Sequence, residues 1–71
     1  MEKTAITTEY IKLDSFLKLC GVSGTGGEAK LLVKSGVVLV DGQPCDMRGK
    51  KLYPGAVVEV NQSQFQVVAS P

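Results

Sequence analysis

The residues of this chain best suited to chemistry are its cations. Arg48-Gly49-Lys50-Lys51 is the densest cluster, and from Glu28 to Lys51 five cations (Lys30, Lys34, Arg48, Lys50, Lys51) stand against three anions (Glu28, Asp41, Asp46). A local excess of this kind is where a polyanion can dock, even though the formal net charge of the whole chain is only +1. Histidine is absent, which removes the commonest general base and every Ser-His or Cys-His nucleophile. Asp14, Asp41, Asp46 and Glu59 show no pairing or apolar setting that would tune a carboxyl pKa, so no enzymatic activity is expected. Cys20 and Cys45, without histidine, cannot supply a tetrahedral metal set, and neither a metal nor a cofactor is expected. They read as reduced, half-buried apolar residues rather than as a disulfide.

A second candidate is glycine-rich. Gly24-Thr25-Gly26-Gly27-Glu28-Ala29 fits the G-x-G-x-x-A string of dinucleotide-binding folds, but that motif follows a strand, whereas here a helix precedes the glycines. No Gly-Lys-Ser/Thr follows, so a P-loop is excluded as well. Two compatible readings of Gly26 and Gly27 remain. Bare N–H groups and the helix dipole can seat one phosphate at the start of a helix, or the glycines keep the inter-helix turn thin so that two helices pack.

These residues need a scaffold, and the pattern supplies one. Thr4 to Ile11 is rich in β-branched and aromatic residues and predicts an opening strand. Leu13, Phe16, Leu17 and Cys20 share one helical face, with Gly21 as its stop, which predicts a helix from Leu13 to Cys20. Thr25-Gly26-Gly27-Glu28 has the form of a capping box and opens a second helix, Gly26 to Ser35, with Ala29, Leu32 and Val33 on its core face. Lys30 and Lys34 lie together on a flank of that helix, away from the apolar stripe. Val37 to Val40 predicts a strand running into an Asp41-Gly42 hairpin turn, and Gln43 to Cys45 a short return held to an edge by Pro44. After the cationic loop, Pro54-Gly55 makes a turn and Ala56 to Val60 a strand. Asn61-Gln62-Ser63 then makes a reversal, and Gln64 to Val68 the last strand. The fold class is α+β: two short packed helices followed by a small, mostly antiparallel sheet of short strands, with an N-terminal strand. The 71 residues make one domain, 1–71. Met1-Glu2-Lys3-Thr4 leads into no apolar run of signal or membrane-spanning length, so a cytoplasmic location without membrane association is expected.

Set together, Lys12-Leu13-Asp14-x-x-Leu17, Thr25-x-x-x-Ala29-Lys30 and Gly36-x-Val38-x-Val40-Asp41-Gly42 resemble the alpha-L RNA-binding motif. This is the S-four-like RNA-binding domain named for a ribosomal small-subunit protein. The resemblance covers residues 12–60. The short chain and the run Arg48-Gly49-Lys50-Lys51-Leu52-Tyr53 look like the bacterial subgroup in which this domain is the whole protein. Three positions depart from the family pattern: Lys12 and Gly26 stand where arginine is usual, and Ala56 where aspartate follows the glycine. The missing cation at Gly26 weakens the expected helix-two contact, and Lys30, Lys34 and the Arg48 to Lys51 loop, which lies near helix two in the family fold, can compensate.

The resemblance implies an RNA-facing surface formed by the two helices and the adjoining β-turn region. The expected RNA-binding residues are Lys12, Thr25, Gly26, Gly27, Lys30, Lys34, Arg48, Lys50 and Lys51. The expected partner is structured RNA, ribosomal RNA foremost, bound by a monomer that reads shape and phosphate spacing more than sequence. Ribosomal proteins are a further expected class of partner, and a role in ribosome assembly or translation follows. The competing reading is a protein-interaction module acting in ribosome assembly without direct RNA contact, motivated by Leu31, which points away from the helix-two core stripe.

Overall fold

The pattern resolves into seven short strands and two helices, which a computed structural model describes over residues 1–71. In chain order they are β1 Glu2–Ile6, β2 Ile11–Lys12, α1 Leu13–Leu19, α2 Gly26–Lys34, β3 Leu39–Val40, β4 Gln43–Pro44, β5 Lys51–Leu52, β6 Val57–Val60 and β7 Ser63–Ala69. Five strands form one sheet in the order β1-β7-β6-β3-β4, and β2 pairs with β5 in a separate antiparallel ribbon. Every pairing is antiparallel except that of β1 with β7.

The opening strand is shorter than its composition predicts. Thr4 to Ile11 does not run as one element: β1 ends at Ile6, and β2 begins at Ile11 in the other sheet. Between them the Thr8 hydroxyl donates to the Tyr10 carbonyl at 2.7 Å. A local side-chain bond of this type offers the backbone an alternative to a ladder and turns the chain. The strand before Asp41 is likewise confined to Leu39–Val40, and Pro44 sits in β4 at the end of the sheet order, where a missing N–H costs no ladder bond.

Both helices bury the faces their spacing predicts. Leu13, Phe16 and Leu17 of α1 and Ala29 and Val33 of α2 are inaccessible to solvent, and they join Val38, Leu52, Val58, Val60 and Val67 in one core. Ala29, wholly buried, adds only a methyl group to the core on its face of α2. Cys20 and Cys45 are free and half-buried and pack against this core. Burial pushes the Cys20 thiol above its ordinary pKa, partly offset by its hydrogen bond with Thr4. Ser23, in the connection between the helices, is buried and its hydroxyl has no partner.

Two hairpins carry the sheet, and both use paired left-handed residues, the arrangement whose twist matches the flanking strands. Asp41 (φ 50°) and Gly42 (φ 84°) join β3 to β4. Asn61 (φ 53°) and Gln62 (φ 66°) join β6 to β7, and Ser63 belongs to β7, opposite Val60, rather than to the reversal. Glutamine is poorly suited to that position, since an L side chain in the left-handed region costs roughly 1–2 kcal/mol. Gln62→Gly removes this strain and returns about 0.5–1 kcal/mol of it as extra unfolded-state entropy. It should therefore stabilise the domain by about 0.5–1 kcal/mol, or about 2–8 °C in Tm. Thermal unfolding of the two proteins checks this, and a lowered midpoint would contradict the turn assignment.

Candidate nucleic-acid interface

Helix α1 begins without a side-chain cap: Lys12 occupies the N-cap position in an extended conformation and makes no capping hydrogen bond. The bare N–H groups of its first turn still need acceptors. The cationic loop supplies them, with Leu13 N–H donating to the Lys50 carbonyl at 2.9 Å and Asp14 N–H to the Arg48 carbonyl at 3.0 Å. A tight turn, in which Lys50 N–H donates to the Met47 carbonyl at 3.1 Å, aims both carbonyls at the helix. Arg48 and Lys50 thus spend their backbone on α1 while their side chains stay exposed.

The ribbon of β2 and β5 continues the same surface. Its register pairs Ile11 with Leu52 and Lys12 with Lys51. Residues opposite one another in an antiparallel pair share a face, so Leu52 turns into the core and the two lysines stand side by side outside. Like charges directly opposite are unfavourable. Lys51 Nζ lies 4.8 Å from the centre of the Tyr10 ring, a cation–π distance that relieves part of that cost. The Tyr53 ring, half exposed, lies 5.9 Å from that of Tyr10 at an interplanar angle of 48°.

The start of α2 is built differently. The Thr25 hydroxyl accepts from Glu28 N–H at 3.2 Å, as a capping box requires, but the Glu28 carboxylate reaches past Thr25 to accept from Gly24 N–H at 3.0 Å. A Cβ added at Gly26 would meet nothing within 4 Å, and one at Gly27 only the Thr25 hydroxyl at 3.9 Å. Neither residue has a positive φ. Both are exposed, and an added Cβ at either would meet no atom of α1, so close approach of the helices does not demand glycine at these two positions. Along α2, Lys34 is exposed and Lys30 half-buried.

The structure thus gathers Lys12, Arg48, Lys50 and Lys51 around the start of α1, and holds Thr25, Gly26, Gly27, Lys30 and Lys34 on α2. No hydrogen bond joins the loop to α2; its backbone bonds run to α1. Four carboxylates accept from nitrogen donors of the backbone or an amide: Asp14 from Ser15, Glu28 from Gly24, Asp41 from Val57 and Glu59 from Gln64. No three His, Cys, Asp or Glu side chains gather as metal ligands, and no helix is long and apolar enough to cross a membrane. Sequence reasoning missed Tyr10 and Tyr53. A signal existed in the mirrored spacings Tyr10-x-Lys12 and Lys51-x-Tyr53, which antiparallel pairing superposes.

Residues 4–68 match the model of the S4 domain family. The chain is 48% identical over 65 residues to the probable ribosome maturation protein RlbA of Bacillus subtilis, covering 90% of this chain and 92% of that protein. The solution structure of YbcJ from E. coli, described as having an alpha-L motif involved in RNA binding, superposes with a TM-score of 0.74 at 31% identity, over 97% of this chain and 89% of YbcJ. Ribosomal protein S4e from Thermoplasma acidophilum shares the fold, with a TM-score of 0.64 at 20% identity, over 84% of this chain and 32% of its own.

The Thr25 cap carries a direct stability test. Thr25→Ala removes the acceptor for Glu28 N–H and should cost about 1 kcal/mol, or about 4–8 °C in Tm for a domain of this size. A calorimetric melt that coincides with the parent's would mean that the cap contributes nothing.

Proposed function

We propose, from the premise that this chain belongs to the S4 domain family, that it binds structured RNA, foremost ribosomal RNA, through phosphate contacts and serves ribosome maturation. The observation that carries this reading is the anchoring of Arg48 and Lys50 to the start of α1 by their own carbonyls, beside the facing pair Lys12 and Lys51. A cation whose backbone is fixed loses less freedom on meeting a phosphate than one on a loose loop. Two lysines held opposite each other are also a standing electrostatic cost that an anion between them removes.

The start of α2 supports a second contact. Gly26 and Gly27 leave backbone N–H groups uncovered beneath the helix dipole, and nothing in the local fold requires glycine there. Lys30 follows one turn on, and Lys34 carries the positive charge to the last turn of the same helix. Duplex RNA presents side chains with little readable base edge in its deep groove, so recognition rests on shape and phosphate spacing. Catalysis forms no part of the proposal.

The protein-interaction reading rests on Leu31, which is 69% exposed and uncovered by the first strand. Salt separates the two, because phosphate-dominated binding weakens steeply as salt rises and an apolar contact does not. Three to five phosphate contacts give a slope of log affinity against log salt of roughly −2 to −4.5. Lys50→Ala together with Lys51→Ala should flatten it by about 1.4–1.8 and weaken binding evenly across RNA sequences. Fold stability should barely change, since exposed cations add little. Binding curves at several salt concentrations read this out, and coincident lines for parent and double mutant would overturn the assignment.

Gly27→Val tests the α2 contact separately. The added side chain has room in the free protein, so the variant should fold, yet it crowds a phosphate on the helix terminus and should weaken RNA binding. Unaltered affinity in the folded variant would remove Gly26 and Gly27 from the interface.

A further inference from the structure

The ribbon register that places Lys12 opposite Lys51 has a second result one step along. Continued outward from Ile11–Leu52, the same pairing sets Tyr10 opposite Tyr53, and the rings are in contact, with centroids 5.9 Å apart. Tyr10, Lys12, Lys51 and Tyr53 therefore form an outward-facing block of two aromatic rings and two cations. Within it, Lys51 Nζ lies over Tyr10. Tyr10 is the less exposed ring and acts as a buttress; Tyr53 keeps half its surface open.

Tyr53 also lines a groove of about 410 Å³ with Asp41, Lys50, Lys51, Pro54 and Ala56. This lies within the roughly 300–1,000 Å³ of small-molecule sites. Its lining carries charges of both signs. Lys50 and Lys51 belong to the cationic loop, while Asp41 brings a carboxylate fixed by its bond from Val57 N–H at 2.9 Å. A phosphate inside the groove would be repelled by that carboxylate, whereas a neutral base would not. The phosphates belong on the lysine side and the base within.

Resting on the RNA reading above, we infer that Tyr53, buttressed by Tyr10, is a stacking platform for one unpaired nucleotide of the bound RNA. The domain then recognises a paired stem at a bulge or a single-stranded junction rather than a continuous duplex. Stacking on an aromatic ring tolerates any base, since each has a π-face. The platform thus selects an RNA shape without selecting a sequence.

The test uses the full chain and two RNA hairpins of the same stem. One is fully paired, and the other carries a single unpaired 2-aminopurine whose fluorescence falls when it stacks. The parent protein should bind the bulged hairpin about tenfold more tightly, in the range found for one base stacked on an aromatic side chain, and should quench the probe. Tyr53→Leu should bind both hairpins alike, with affinity for the paired stem retained and quenching lost, while Tyr53→Phe should behave as the parent. Tyr53→Thr serves as a second ring-free variant if the leucine protein does not fold. Equal affinity of the parent for the two hairpins, or quenching that survives loss of the ring, overturns this inference alone. Failure to bind either hairpin overturns it together with the RNA reading.

Discussion

Two backbone hydrogen bonds, from Leu13 N–H to the Lys50 carbonyl and from Asp14 N–H to the Arg48 carbonyl, hold the cationic loop to the first helix. Helix α1 has no side-chain cap of its own. Without the loop its first turn would lack these acceptors, and without the helix the loop would lose its anchor. Each solves the other's problem, because the helix needs acceptors and the loop needs a fixed conformation. The cations are carried as side chains of the residues that do the capping.

That clasp also explains which helix end remains open. The N–H groups at the start of α1 are taken by protein carbonyls, whereas α2 satisfies Glu28 N–H through Thr25 and leaves two glycines uncovered. One helix terminus is closed by carbonyls of the loop, and the other leaves its first two residues exposed. The carboxylates follow the same economy. Asp14, Glu28, Asp41 and Glu59 accept from nearby nitrogen donors, which gives these acids structural partners close by in the fold.

The core beneath is conventional for a chain of this length, with two helices laid over a sheet and valine at most of the inward strand positions. The less ordinary choice is the parallel pairing of β1 with β7. It joins the two ends of the chain, and the closure entropy of that contact is offset by burial of Ile6, Phe65 and Val67.

The sequence by itself determined both helices, their buried faces and the Thr25 cap, because helical spacing and capping are contacts among residues three and four apart. It also determined the Asp41-Gly42 turn and the edge position of Pro44, which depend on backbone properties of one or two residues. The family resemblance over residues 12–60 was legible for the same reason, being a set of local strings in order. Tertiary structure alone decided that Thr4 to Ile11 divides between two sheets, since strand propensity carries no information about which partner a residue meets. It decided that the cationic loop is fastened to the start of α1 by its own carbonyls. It also decided that Lys12 faces Lys51 and Tyr10 faces Tyr53. Those pairs are about forty residues apart in the chain, and only the ribbon register, fixed by burying Leu52 beside Ile11, brings them onto one face.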